Sequence, residues 1–286
     1  MSERPLPPPD EVRRRLEDRI GPDDLELVPR TYVRFGDVLI LDIPEALEPV
    51  QTQVAEAYAS VLRMRTVLKR VGVVEGELRL PRMRRIWGDT NTETIHIENG
   101  IRYRFDPTAV MFSPGNLGER QRVAGLPVAD ETIVDLFAGI GYFTLPLAVY
   151  GRPRQIIACE KNPVAFRYLQ ENIELNDVAD IMQARLGDNR DTAPIGEADR
   201  VFMGYLPDPT DFLPVALSCL KRTGGSIHYH SVVDVPAFPK AAFEKMHEVL
   251  QALNWTATLK QSVTVKSFGP GAVHGVLDVE VRARGS

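Results

Sequence analysis

Residues 132–161 read TIVDLFAGIGYFTLPLAVYGRPRQIIACEK, and few folds can house that order of residues. Residues 132–137 are a short, mostly apolar run, the length of one buried strand. Ala138-Gly139-Ile140-Gly141 follows, where two glycines let the backbone turn sharply and approach a ligand with no Cβ in the way. Phe143 and Leu147 then recur at helical spacing, and a second apolar run, 155–159, ends in Glu160. Strand, glycine turn, helix, strand and acid make a βαβ nucleoside-binding unit, because a carboxylate at the second strand's tip accepts from both ribose hydroxyls.

Spacing separates the two cofactor classes that use this plan. A dinucleotide site wants G-x-G-x-x-G, with its third glycine packing helix on strand and a pyrophosphate at the helix N-terminus. Thr144 holds that third position, which disfavours an NAD-type oxidoreductase. Asp135 at the first strand's end, followed closely by G-x-G, points instead to an S-adenosylmethionine loop of the methyltransferase type. The alternative is a plain doubly wound fold whose glycines serve the turn alone. Ligands in open α/β sheets lie at the carboxyl ends of the strands, so Asp135, Phe137, Gly139, Gly141, Glu160, Lys161, Gly204 and Tyr205 form the expected cofactor-binding set.

With 286 residues, 44% of them hydrophobic, the chain can bury a full core and a smaller appended domain. No apolar segment approaches the ~20 residues a membrane helix needs, and MSERPLPPPD has no hydrophobic signal core. Two cysteines, Cys159 and Cys219, fall in a predicted strand and helix, as core thiols of a cytoplasmic protein would. The net charge of −5 argues against a nucleic-acid partner, but its distribution does not: residues 63–122 carry twelve basic residues against seven acids. Such asymmetry suggests a half that faces a polyanion and a half that is merely solvated.

Four segments are expected. Residues 1–30 read as a flexible, partly helical lead. Residues 31–106 read as a small α+β domain, with a strand pair around Phe35-Gly36-Asp37, a helix from Pro49, and a hairpin turning at Asn99-Gly100. Residues 107–125 read as a linker able to close over a site, and 126–286 as the catalytic domain. Arg79, Arg82, Arg84 and Arg85 with Trp87 interleaved could grip RNA phosphates and stack on a base. The alternative is a strand whose arginines face water. Arg120 suits a methionine carboxylate, since its planar fork matches two oxygens. Asp188, after the third strand, suits the adenine amine. His228 and His230 share a face of the fifth strand, but no third ligand has metal-site spacing, so no metal is expected.

As a set, ELRLPRMRRIWG, TIHIENGIRYRFDPTAVMFSPGNLGERQR, DLFAGIGYFTLPLA, CEKNP and GDNRD resemble the tRNA position-37 modification family. That family holds the guanosine N1-methyltransferases and the wybutosine-synthesis aminocarboxypropyltransferases. The resemblance runs from about residue 30 to the C-terminus. In the loop after the fourth strand, Met203-Gly204-Tyr205-Leu206-Pro207 is similar to the archaeal aminocarboxypropyltransferase branch rather than to the N-x-P of the methyltransferases. It implies an α/β, S-adenosylmethionine-dependent methyltransferase-type (Rossmann-like) doubly wound sheet behind the smaller N-terminal domain. It further implies cofactor contacts at Ser113, Arg120, Glu160, Asp188 and Asn189, and 4-demethylwyosine at position 37 of phenylalanine tRNA as substrate. The expected partner is the anticodon stem-loop of that tRNA, met by a monomer. Glu119, Tyr205, His228 and His230 are the candidates to accept the proton the base must lose, and the residues do not rank them. The other readings are guanosine-37 N1-methylation and a non-catalytic module that binds S-adenosylmethionine and tRNA.

Overall fold

The computed structural model describes residues 6–72, 76 and 80–284, and the chain divides into two compact units, Met1–Pro114 and Gly115–Ser286. In the first, helices α1 (Pro8–Leu16) and α2 (Pro22–Leu27) precede strands β1 (Val33–Phe35) and β2 (Val38–Leu41). A 3-10 turn over Glu45–Val50 leads into α3 (Gln51–Leu62), then β3 (Thr66–Arg70) and β4 (Met83–Gly88). The sheet order is β1-β2-β3-β4, with β2 and β3 parallel. Strands β5 (Thr94–Glu98) and β6 (Ile101–Phe105) form a separate ladder. Asn99 and Gly100 both take positive φ, 50° and 78°, as the type I′ turn requires.

The lead segment is more ordered than its proline-rich start suggests. Val12 and Leu16 lie four residues apart on one face of α1, and both are fully buried in the core that Leu39, Leu41, Val54, Tyr58 and Val67 build. Residues 107–125 likewise do not form one loop. Phe112 stacks on Phe105 at 5.1 Å and meets Phe35 and Tyr103 edge-on inside the first unit. From Leu117 the second unit has already begun as helix α4 (Leu117–Ala124), with Glu119, Arg120 and Val123 buried. Apolar and helix-forming residues hidden among the turn formers explain the difference.

The second unit continues with β7 (Thr132–Asp135) and the short α5 (Thr144–Pro146), which widens into a π turn over Leu147–Gly151. Next come β8 (Gln155–Glu160), α6 (Pro163–Leu175), β9 (Met182–Leu186), α7 (Asn189–Thr192) and β10 (Arg200–Met203). The chain ends with α8 (Leu213–Cys219), β11 (Gly225–Asp234), α9 (Lys240–Ala252), β12 (Trp255–Gly269) and β13 (Ala272–Ala283). The seven strands run in the order β12-β13-β11-β10-β7-β8-β9, and β13 runs opposite to the other six. Strand order reverses beside β7, whose partners are β8 on one side and β10 on the other. A crevice at the carboxyl ends of β7 and β10 follows from that reversal, and it is where such sheets take ligands.

Candidate cofactor and active site

Asp135 ends β7 at 1% exposure. Its Oδ1 accepts the Phe137 N–H at 2.9 Å, while Oδ2 is buried with no partner. Burial pushes this carboxyl up to about 7, with the Glu160 charge adding to the rise. The turn beyond it needs its glycines. Gly139 and Gly141 have φ of 58° and 97°, and a Cβ on Gly139 would sit 2.3 Å from the Tyr142 ring. Glu160 buckles this turn to the tip of β8, its Oε2 accepting the Gly139 N–H and its Oε1 the Asn162 N–H, both at 2.7 Å. Burial raises the Glu160 pKa and the backbone donors oppose it. Each oxygen keeps a lone pair, so the carboxylate can still accept two hydroxyls.

Asn189 completes this acceptor set: its Nδ2 donates to Leu136 O at 2.9 Å and its buried Oδ1 has no partner. Three acceptor-bearing side chains around one glycine turn fit the hydroxyl and amine donors of a nucleoside cofactor. Asp188 is different. It caps α7 and holds Arg190 through Nε at 2.8 Å and Nη2 at 2.6 Å, with Lys161 at 3.5 Å. The Arg190 guanidinium keeps its carboxyl well below the usual range, so Asp188 is committed to cations rather than standing open. Phe137 meets Tyr205 at 5.0 Å and Phe212 at 4.8 Å between centroids, an aromatic flank beside the turn. Gly204, at the tip of β10, lies against Phe143, whose ring a Cβ would reach at 3.4 Å.

The proton-acceptor candidates are now distinguishable. Glu119 is 2% exposed, and its two oxygens accept from Arg122 at 2.8 and 2.7 Å. Arg122 turns its other edge to Asp278 at 2.6 Å, and Asp278 accepts from His228 Nδ1 at 2.6 Å. Arg200 Nη1 lies 2.7 Å from His228 Nε2 and pairs with Glu131 at 2.6 and 2.9 Å. An arginine can only donate, so His228 must be the neutral Nδ1–H tautomer, in keeping with a pKa that burial lowers. Both its nitrogens are spent, and its ring stacks on Phe202 at 4.2 Å. His228 therefore has no atom to offer a substrate, which removes it from the candidates. His230 differs: Nδ1 meets His274 Nε2 at 3.1 Å, but Nε2 has no partner, and Phe143 covers the ring at 4.9 Å. Among the described residues, no group of three or more His, Cys, Asp or Glu is placed to hold a metal ion.

Arg120 is buried on α4 next to Glu119. Ser113 belongs to the first unit, where it lines a cavity of about 140 Å³ with Phe35, Val110 and Arg82. Of the residues expected to face RNA, Arg79 lies outside the described residues, and Arg82, Arg84 and Arg85 are exposed. Trp87 is not: the register of β4 on β3 slips by one residue after Val67↔Trp87, and that bulge turns Ile86 and Trp87 onto the core while Arg84 and Arg85 both face out. Its indole is half-buried and packs against that core. Sequence reading missed Arg122, Asp278, Arg200 and Glu131. Only Arg122 left a signal, three residues from Glu119 on one helical face.

Strand order, glycine turn and Glu160 together define an S-adenosylmethionine-dependent methyltransferase-type domain. The chain belongs to the TRM5/TYW2 family: the TRM5/TYW2 methyltransferase domain matches residues 94–257 and the TYW2 N-terminal domain residues 12–92. It is 41% identical over 270 residues to the tRNA(Phe) (4-demethylwyosine(37)-C(7)) aminocarboxypropyltransferase of Pyrococcus horikoshii, covering 94% of this chain and 96% of that one. The P. horikoshii TYW2 structure in complex with MeSAdo superposes with a TM-score of 0.86 at 39% identity, covering 96% of this chain and 99% of that one. The M. jannaschii TYW2 structure in complex with AdoMet gives 0.73 at 32% identity, covering 88% and 100%. Among the described residues no helix is long and apolar enough to cross a membrane.

Proposed function

We propose that this chain transfers the 3-amino-3-carboxypropyl group of S-adenosylmethionine to C7 of 4-demethylwyosine at position 37 of phenylalanine tRNA, leaving methylthioadenosine. The observation that carries this reading is likeness along nearly the whole of both chains to an enzyme named for that reaction. The site is compatible with it. When bound, the sulfonium supplies three carbons, and the one presented in line to the nucleophile is transferred. Glu160 is assigned to the ribose hydroxyls, Asn189 and Asp135 to further donors of the nucleoside, and Arg120 to the amino-acid carboxylate. Gly139, Gly141, Phe137, Gly204 and Tyr205 shape the surface against which the cofactor lies, with Lys161 and Asp188 at its rim. Proton acceptance falls to His230, Tyr205 or Glu119. His230 is favoured, because its Nε2 is the one candidate atom shown buried without a partner. Arg82, Arg84 and Arg85 are assigned to the phosphates of the anticodon stem-loop, bound by a monomer in the cytoplasm.

The test is the leftover nucleoside. Enzyme, S-adenosylmethionine and tRNA bearing 4-demethylwyosine should yield methylthioadenosine. S-adenosylhomocysteine in its place would instead support guanosine-37 N1-methylation, and binding of both ligands with neither product would support a non-catalytic module.

A further inference from the structure

Residues 204–209 leave the tip of β10 at the ligand-binding edge of the sheet, where a surface loop is ordinarily free to move. This one is fastened at two successive residues. Pro207 O accepts the Val232 N–H of β11 at 2.8 Å. Asp208 is the second anchor, and it draws in three elements. Its Oδ1 accepts the Thr210 N–H at 3.0 Å and forms a triangle with Thr210 Oγ1 at 2.5 Å and the Tyr229 hydroxyl at 2.9 Å. The third side, Thr210 Oγ1 to the Tyr229 hydroxyl, is 2.6 Å, so two hydroxyl protons are shared among three oxygens. Its Oδ2 takes the Lys245 ammonium of α9. Three residues earlier, Tyr205 is wedged against Phe137 and Phe212, at 5.0 and 5.4 Å between centroids. Phe137 is itself two residues from Gly139. A loop tied this firmly, with its aromatic residue laid on the flank of the glycine turn, acts as a wall rather than a lid.

We propose that Asp208 is a positioning residue for the transfer reaction: by locking residues 204–209 it holds Tyr205 as a fixed wall that keeps the cofactor's aminocarboxypropyl arm extended toward the acceptor base. The inference rests on the transfer activity assigned above. What the wall prevents can be written out. An arm free to fold back lets its own carboxylate oxygen attack its γ-carbon. A C–O bond forms, the C–S bond breaks, and the electron pair goes to sulfur, leaving methylthioadenosine and homoserine lactone. No other reactant is required. A slack wall therefore consumes cofactor without modifying RNA.

Methylthioadenosine released and base modified are to be counted in parallel with the full chain, S-adenosylmethionine and tRNA bearing 4-demethylwyosine. The wild-type chain should give the two in equal amounts. Asp208→Ala should lose about tenfold in kcat, part of the roughly hundredfold that a full 1 Å misplacement of a reacting group costs, and release at least about two methylthioadenosines per base modified. Asp208→Asn, which keeps an acceptor oxygen for Thr210 and Tyr229, should restore coupling to near unity. A residue that only stabilised the fold would lower both products together, so a ratio of one in a folded Asp208→Ala overturns the inference. Should Asp208→Ala not fold, Tyr229→Phe, which removes one corner of the triangle, is read by the same ratio, and unchanged coupling there overturns it equally. A wild-type chain that forms no methylthioadenosine overturns the assigned activity and this inference with it, whereas unit coupling in both enzymes overturns this inference alone.

Discussion

Asp278→Asn tests whether the partly buried chain of charges that includes Glu119 and Arg122 of α4 is held by charge or merely by shape. The native carboxylate serves Arg122 on one side and His228 on the other, at 2.6 Å each. Burial alone would push its carboxyl up, but His228 and Arg122 bring it down from 3.8 to about 2. A carboxyl depressed on folding adds stability that is complete above its unfolded pKa and fades as pH falls through the folded one. At ~1.4 kcal/mol per unit, the shift corresponds to about 2 kcal/mol at pH 7. In a unit of this size that is about 4–8 °C in Tm. The amide keeps the shape and one acceptor oxygen but not the charge. Urea unfolding of both proteins at pH 7, 4.5 and 3 should show the full deficit at pH 7, nearly all of it at pH 4.5, and a clearly smaller one at pH 3. An equal deficit at all three pH values would refute the electrostatic account and leave only packing.

Glu160→Gln should weaken S-adenosylmethionine by about tenfold or more in isothermal titration, since the amide NH₂ opposes one of the two backbone N–H groups that the carboxylate now accepts. Arg120→Lys should weaken S-adenosylmethionine more than methylthioadenosine, which lacks the carboxylate, and equal losses for both ligands would remove the clamp. Arg84→Ala with Arg85→Ala should weaken tRNA binding, reduce the slope of log K against log salt by about 1–2, and leave S-adenosylmethionine affinity unchanged.

How far each feature could be read ahead depended on the range of the forces that make it. The Asn99-Gly100 hairpin and the strand–glycine turn–strand unit come from local signals, a positive φ and an apolar period, and both stand in the structure. Glu160 was legible for the same reason, because one carboxylate at a strand tip faces the turn that precedes its strand. The packing of Trp87 was not legible, because a basic run with an aromatic says nothing of register. One bulge opposite Val67 decided that the indole turned inward. His228 was placed on the correct face by alternation, yet its role could not be inferred. Its two partners stand 28 and 50 residues away, on β10 and β13.

The sequence by itself determined the class of fold, the glycine turn, the acid at the tip of β8 and the two-part division of charge. The turn and the acid are set by residues within a few positions of one another, where backbone sterics and side-chain periodicity act, and the charge division is a matter of composition alone. Only the tertiary structure decided which polar side chains are spent and which are left over. Folding brought Glu119, Arg122, Asp278, His228, Arg200 and Glu131 into one partly buried chain and left Asp135 Oδ2, Asn189 Oδ1 and His230 Nε2 without partners. A buried charge must find its counter-charge wherever the strand order puts it, and in this sheet β13 sits beside β11 although the 37 residues 235–271, with a helix and the edge strand, intervene.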